Sequence, residues 1–499
     1  VKTLLLAPRL RFRAQDVVKP DGSLALPYLA GGLREAGLPV EIVDCCVGTD
    51  ADDLATTFAS RDVGRGMVEV GVSDDRLAEL VRGYDVIGIT SIFTMQTTAI
   101  LAMLAVIREA NPRAFILMGG VNARALARRF FDAGVAGIAA GEADGPADGI
   151  VWAAQWVYHA GCALGPPSSP RGWFGPNAFT GQPDVVNDLD RLPMPAWDLM
   201  PNARYWEIGR PHGGDFPPGP IRYASLMTSR GCPFTCSYCH ISKETADDPS
   251  GPIGTYRVKS RARVREELAN LKALGVEWVF VEDDSLLAKK KRAFELMEDF
   301  AATGLRFADI NGVNLAHMIV REGPGYAIDR ALLRAMRQAG FEKLSLPFES
   351  GSQRILDTYA SRKWRTDLVP HVRLVELCRE EGITPLGNYT IGYPDESLDE
   401  MLATIGMARD HVRAGLAVAS FFCIVPFPGT QLFDDTLASG ALAPDWSPDT
   451  MNWTMANWAK STVPADTINA VRRVAWELVN DPAFVGSRKA MSGQGVAAC

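Results

Sequence analysis

Three of the nine cysteines crowd into eight residues, Cys232-Pro-Phe-Thr-Cys236-Ser-Tyr-Cys239, while Cys45, Cys46, Cys162, Cys378, Cys423 and Cys499 are scattered. An odd count in a long chain that opens on no secretion signal argues against a disulfide framework and for reduced thiols or metal ligands. Three thiolates this close can wrap a polynuclear iron-sulfur cluster, and three ligands for four irons leave one iron open to something other than protein. Zinc is the alternative, but it asks for four ligands, commonly in paired Cys-x-x-Cys units, and His240 is badly placed to complete the set. Histidine is scarce: His159, His212, His240, His317, His371 and His411 are all there are.

The elements around this motif alternate between strand and helix. In the first half, residues 2–8, 40–44, 86–90 and 114–118 read as short apolar strands, with helices over 26–36 and 97–110. Strict alternation implies parallel pairing through right-handed crossovers, hence a doubly wound, Rossmann-like α/β sheet. Such sheets bind ligands beyond the carboxyl ends of their strands, which here read Ala7-Pro8, Asp44-Cys45, Thr90-Ser91 and Gly119-Gly120. From 161 to 221 proline and glycine become dense, which predicts an irregular linker. The second half alternates again, with strands over 224–228, 276–281, 307–311, 343–347, 384–391 and 417–425 and helices including 263–274, 330–339, 368–381 and 398–412. Six β/α units are too few for a closed eight-fold barrel and enough for an open one. The cysteine motif directly follows the first of these strands, where α/β barrels keep their active sites. The expected division is a first domain over 1–160, a linker over 161–221, a barrel over 222–430 and a helical region over 431–499 that holds Trp446, Trp453, Trp458 and Trp476.

Composition excludes several function classes. At 499 residues the chain is too long for one core, and at roughly 150 residues per domain it holds two to four. The net charge of −8 argues against nucleic acid as a partner. Apolar runs such as 99–107 fall short of the ~20 residues that span a bilayer, so no membrane partner and a cytoplasmic address are expected.

The cysteine motif resembles the signature of the radical S-adenosylmethionine (SAM) superfamily, Cys-x3-Cys-x-aromatic-Cys, met here by Cys232, Cys236, Tyr238 and Cys239. The resemblance implies a partial (β/α)6 TIM-type barrel and a [4Fe-4S] cluster whose open iron is chelated by SAM. It also implies a flavodoxin or ferredoxin as electron donor and cleavage of SAM to a 5′-deoxyadenosyl radical. Carried strand by strand, it sets Tyr238 near the adenine. Glu282-Asp283-Asp284 then stands where the family commonly has Gly-Gly-Glu for the methionyl ammonium, leaving open which carboxylate bonds. Glu349 and Ser350 fall where the family contacts the ribose, and Asn388 and Thr390 on the fifth strand.

The first half resembles the cobalamin (B12) domain of the class B radical SAM enzymes. The residues that carry this are the stretch from Leu26 to Gly37, Asp44, Ser91, Gly119-Gly120 and Gly141-Glu142. It implies that Ser91, Thr94, Gly119, Gly120, Gly141 and Glu142 lie against cobalamin. Together the two resemblances imply a methyltransferase acting on an unactivated carbon of a small, specialised-metabolite substrate through methylcobalamin. A cyclase or ring-rearranging enzyme with the same cofactors is the alternative. A methylthiotransferase would want three more suitably spaced cysteines, and a non-catalytic metal scaffold would lose iron yet keep activity on Cys232→Ala. Residues expected to line the substrate pocket are the stretch from His212 to Asp215, Asn311, Asn314, Phe422 and the tryptophans of the tail.

Many B12 proteins offer cobalt a histidine from Asp-x-His-x-x-Gly; here the corresponding loop is Asp44-Cys-Cys-Val-Gly, and no histidine precedes His159. Cobalamin is therefore expected base-off without a histidine from this domain. The cob(II)alamin electron paramagnetic resonance spectrum should lack nitrogen superhyperfine splitting, and its presence would overturn the expectation.

Overall fold

The computed structural model describes residues 1–17, 19–20, 22–145, 149–165, 168–209 and 219–491. The first half builds one sheet from five parallel strands, Thr3–Ala7, Val40–Asp44, Val86–Thr90, Phe115–Gly119 and Gly137–Ala139. Numbered along the chain their spatial order is 2-1-3-4-5, a doubly wound arrangement whose switch point lies between the first and third strands. Helices Ala25–Glu35 and Ile150–Ala160 cover one face, with Leu26, Ala30, Leu33, Ala153 and Val157 buried there. Helices Asp74–Leu80 and Thr97–Ala110 cover the other, through Leu77, Ile100, Met103, Leu104 and Ile107. Four expected strands are found within one residue of each end; the fifth is three residues long and too short for a periodicity to announce it.

The stretch 161–221, expected to be irregular, is in part ordered. Strand Trp173–Gly175 extends the first sheet antiparallel to Gly137–Ala139, Ala178–Phe179 pairs antiparallel with it in turn, and Asn202–Ile208 is a helix. Proline and glycine flank these pieces rather than fill them, and the fully buried Trp173 anchors the hairpin in the core. A second unexpected element is a small antiparallel sheet of Leu10–Arg13, Met67–Val70 and Arg61–Asp62.

The second half is a six-stranded parallel sheet in sequential order: Tyr223–Leu226, Trp278–Val281, Arg306–Asp309, Phe341–Glu349, Thr384–Ile391 and Val418–Cys423. Successive residues of a strand face opposite ways. Val279, Val281, Phe307, Phe348, Tyr389 and Phe421 turn to the helix layer, where Phe348 and Phe421 stack on Tyr389 at 5.5 and 5.3 Å. Tyr223, Trp278, Phe280 and Ala308 turn inward and pack with Phe12, Val68, Val70 and Tyr205. The first half therefore plugs part of the barrel's inner face. Beyond the sixth strand the chain is helical over Gln431–Ala438, Ala465–Val479 and Pro482–Met491, and Trp446, Trp453 and Trp458 lie in the loop between the first two. No helix among the described residues is long and apolar enough to cross a membrane.

The halves are also joined by buried charge. Glu267 of barrel helix Arg261–Ala273 is fully buried; its carboxylate accepts from Lys259 Nζ at 2.5 Å, Arg263 Nε at 2.8 Å and the Tyr28 hydroxyl of the first domain at 3.2 Å. Burial holds the Lys259 ammonium down at about 8. Removing one partner of such a pair strands the other charge. Glu267→Ala should cost about 3–5 kcal/mol, read as a lowered urea midpoint, and replacing the pair together (Lys259→Met with Glu267→Leu) should recover most of it.

Candidate cofactor-binding site

The cysteine loop has little regular structure and is held from several sides. Asp283, at the end of the second barrel strand, accepts from Thr228 N and Oγ1, each at 2.6 Å, and from Ser229 Oγ at 2.5 Å. Gly231 follows at φ +77, and a Cβ there would sit 2.4 Å from Thr255 O and 2.5 Å from Gly254 O, so only glycine fits. Its N–H donates to Asp284 Oδ2 at 2.9 Å. On the far side Thr235 N donates to Ser361 Oγ at 3.0 Å and Ser237 N to Tyr359 O at 2.9 Å.

All three cysteines of the loop are free thiols, Cys236 buried and Cys232 and Cys239 half-buried. Burial raises each thiol pKa in the bare protein, and a bound metal reverses that by deprotonating its ligands. Among the described residues no three His, Cys, Asp or Glu side chains converge on a point that would hold a single ion. His240 Nδ1 is 3.0 Å from Glu244 Oε1, so the ring is tied to the far side of the loop by an ion pair. A set of three separated thiols on one loop fits a polynuclear cluster with an open iron.

Three acidic neighbours at the second strand's end have three different surroundings. Asp283 is fully buried and both its oxygens accept from the loop, so it positions the cysteines and, unlike the SAM contact expected of it, presents no exposed surface to a ligand. Asp284 lies close enough to Cys232 and Cys239 to raise their thiol pKa values, and burial lifts its own to about 6. Glu282 turns inward, bonded to Ser225 Oγ, and burial lifts it to about 7.

Glu349 ends the fourth strand at φ +60, an uncommon conformation for a side-chain-bearing residue. Its carboxylate takes Lys363 Nζ at 2.5 Å and Thr390 Oγ1 at 3.1 Å. Ser350, expected beside it, turns instead into the helix layer: it is fully buried, with its hydroxyl 3.2 Å from Thr404 Oγ1. Asn388 is half-buried on the inward face of the fifth strand. Tyr238 packs 6.3 Å from Tyr393, itself stacked on Tyr359 at 4.5 Å. Sequence reasoning missed Lys363, whose charge lowers the pKa values of Cys232 and Cys236. A lysine in a polar loop reads as solvated; what aims it inward is a pair of left-handed residues, Ser361 and Arg362, that no sequence period reveals.

At the carboxyl edge of the first sheet, Ser91 is fully buried, its hydroxyl 2.8 Å from Asn122 Nδ2, and Thr94 is buried as well. Gly120 has φ +100, and a Cβ there would lie 2.3 Å from Ser91 O, so its glycine answers to the protein's own backbone. Gly119 is different: an added Cβ would meet only Ala139 Cβ at 3.8 Å. Between Ser91 and Thr94, Ile92 and Phe93 stay 39% and 42% exposed at the switch point, an apolar tip that fits a broad flat ligand. Gly141 and Glu142 face the barrel instead of this edge. A Cβ on Gly141 would lie 3.0 Å from Ser250 O, and Glu142 is held by Arg257 at 2.7 and 2.8 Å. Asp44 is bound by Tyr205 at 2.5 Å, and Cys45 is fully buried with its thiol pushed up to about 12, a packing thiol.

Of the residues expected around a substrate, those from His212 to Asp215 lie outside the described residues. Asn311 is exposed and donates to Glu282 O at 2.6 Å, Asn314 caps a turn through Ala316 N, and Phe422 is half-buried on the sixth strand. Trp458 donates to Gly392 O at 2.6 Å, whereas Trp453 reaches across to Phe93 at 5.1 Å.

Residues 226–408 match the Radical SAM superfamily model and residues 22–151 the B12 binding domain model. Cytidylyl-2-hydroxyethylphosphonate methyltransferase of Streptomyces wedmorensis is 26% identical over 481 residues, 89% of this chain and 83% of that one. The anaerobic magnesium-protoporphyrin IX monomethyl ester cyclase of Cereibacter sphaeroides is 28% identical over 257 residues, 51% of this chain and 37% of that one. Among solved structures, the radical S-adenosylmethionine methyltransferase TsrM from Kitasatospora setae, with tryptophan substrate and a SAM analogue bound, shares the fold. Its TM-score is 0.65 at 16% identity, covering 97% of this chain and 90% of that one.

The raised Glu282 carboxyl has a consequence for stability. Between about pH 4.5 and pH 7 the folded chain holds this proton and the unfolded chain releases it, so stability falls as pH rises through that window. Glu282→Gln should abolish a fall on the order of 2–3 kcal/mol, measured as urea midpoints of the apoprotein from pH 5 to 8.

Proposed function

We propose that this chain, which joins a B12-binding domain to a radical SAM domain, is a cobalamin-dependent radical SAM methyltransferase acting on an unactivated carbon of a small molecule. The observation that carries the reading is a juxtaposition. The sheet edge with Gly119, Ile92 and Phe93 belongs to the half that packs into the barrel whose first loop bears the three thiols. When bound, the cluster with SAM supplies a radical that takes hydrogen from carbon, and cobalamin supplies a methyl carrier. The chain's own part is positioning. Cys232, Cys236 and Cys239 hold the cluster, Asp284 faces the SAM ammonium, and Glu349 with Thr390 meets its sugar. Tyr238 walls the adenine, and Gly119 and the Ile92-Phe93 tip border the corrin, with the buried Ser91 and Thr94 fixing the two ends of that tip. Inward groups beyond the plug, Ser225, Glu282, Asn388 and Phe422, are left for substrate.

Methyl transfer is favoured over cyclisation because the methyltransferase relative aligns along nearly the whole chain and the cyclase along half of it. A specialised-metabolite substrate, reduction by flavodoxin or ferredoxin, a cytoplasmic address and the four-part division at 160, 221 and 430 belong to the same proposal.

The test is anaerobic reconstitution with iron, sulfide and hydroxocobalamin, then reaction with a low-potential one-electron reductant and SAM labelled in its methyl group, with cytidylyl-2-hydroxyethylphosphonate as first probe. Expected are deoxyadenosine, S-adenosylhomocysteine and a product heavier by one labelled methyl. Cys232→Ala should lose iron and deoxyadenosine formation while retaining cobalamin. A product of unchanged carbon count would favour cyclisation or rearrangement.

A further inference from the structure

The two halves meet at both ends of the cysteine loop, and they do so through buried ion pairs. Before the loop, Arg230 stands two residues from Cys232, with its guanidinium 3.2 and 2.5 Å from the two oxygens of Asp144 and 3.3 Å from Glu142 Oε1. Glu142 is shared with Arg257, the residue paired with Arg230 in a two-stranded antiparallel ladder. After the loop, Arg124 Nη2 meets Glu244 Oε1 at 2.5 Å, and that same oxygen lies 3.0 Å from His240, the neighbour of Cys239. The other terminal nitrogen of Arg124 donates to Ala140 O at 2.7 Å.

The origin of the first-domain partners gives these contacts a function. Arg124 lies on the helical turn Val121–Ala125 that begins directly after Gly119-Gly120. Glu142 and Asp144 follow the fifth strand, Gly137–Ala139. Both sets therefore lie on loops that leave the carboxyl edge of the first sheet, where a doubly wound fold holds its ligand, with Arg124 beside the Gly119-Gly120 turn and Glu142 and Asp144 turned from that edge toward the barrel. Side-chain exposure of Arg124, Glu244, Arg230, Asp144, Glu142 and Arg257 runs from 4% to 18%, so these charges are largely desolvated. Buried pairs of this kind seldom stabilise a fold more than apolar packing would, and their best-attested use is to fix one arrangement.

We infer that these two brackets couple the cofactor sites, so that filling the cobalamin edge stiffens the cluster loop and assembling the cluster tightens the cobalamin edge. The inference rests on the B12 and radical SAM reading. Arg124, Glu244, Arg230 and Asp144 are positioning residues, acting through the loops they hold. Linkage makes the coupling reciprocal: each site changes the other's affinity by the same factor.

The experiment is equilibrium dialysis of hydroxocobalamin against the full chain with and without its reconstituted cluster. The cluster-loaded chain should bind about tenfold more tightly. Arg124→Gln should cut that ratio to about half or less, Arg124→Lys should restore part of it, and Arg128→Gln, in an exposed pair with Asp132, should leave it unchanged. A second readout is the rate at which a chelator strips iron, which hydroxocobalamin should slow in the unsubstituted chain and slow less in Arg124→Gln. If Arg124→Gln does not fold, Asp144→Asn tests the other bracket. A ratio of one in the unsubstituted chain, or the unsubstituted ratio kept in both Arg124→Gln and Asp144→Asn, overturns the coupling and leaves the cofactor assignment standing. A chain that binds no hydroxocobalamin in either state overturns the B12 reading and the coupling with it.

Discussion

A loop that must present three thiols inside a protein cannot leave its own backbone and hydroxyl groups unbonded, and that constraint organises the site. Asp283 answers it on one side, taking three donors from Thr228 and Ser229 in full burial. Arg292 closes the same corner by donating to Thr228 O at 2.8 Å. Gly254 O answers it on another side, accepting from Cys232 N at 3.1 Å against the glycine at 231 that permits the approach. The loop has almost no secondary structure to shape it, so these partners decide where the sulfurs stand.

The same physics divides the carboxylates around it. Burial lifts Glu282, which has no cation beside it, to about 7, and Asp284, where His240 and the Gly231 N–H offset part of the effect, to about 6. Glu244 is nearly as buried, yet His240 and Arg124 hold it down at about 2. The first two hold their protons to higher pH than a free carboxyl; the last is a fixed anion used for construction. One residue type thus keeps its proton toward neutral pH or stands as a structural counter-ion according to its neighbours.

The seam between the halves combines both uses. Phe12, Val68 and Val70 seal it with apolar contact against Trp278 and Phe280, which excludes water, while Glu267 and the pairs around Arg230 and Arg124 set its register. Apolar surfaces slide with little penalty, whereas a desolvated ion pair has one favourable geometry. A site that must align two large cofactors across a domain boundary needs the second kind of contact as well as the first.

The sequence by itself determined the layout: period and strand-helix alternation placed the long parallel strands of both halves, and the spacing of Cys232, Cys236 and Cys239 pointed to the chemistry. Those features are local, written in neighbouring residues. It did not reveal the plug of Leu10–Arg13 and Met67–Val70, the hairpin at Trp173, or Lys363, because each is stabilised by partners scores of residues away or by backbone turns without a sequence period. Nor did it separate Glu282, Asp283 and Asp284, which stand side by side and alike in the chain. Only the tertiary structure decided that one bonds Ser225, one anchors the loop and one stands near the thiols, since an acid's role is set by what surrounds it in space.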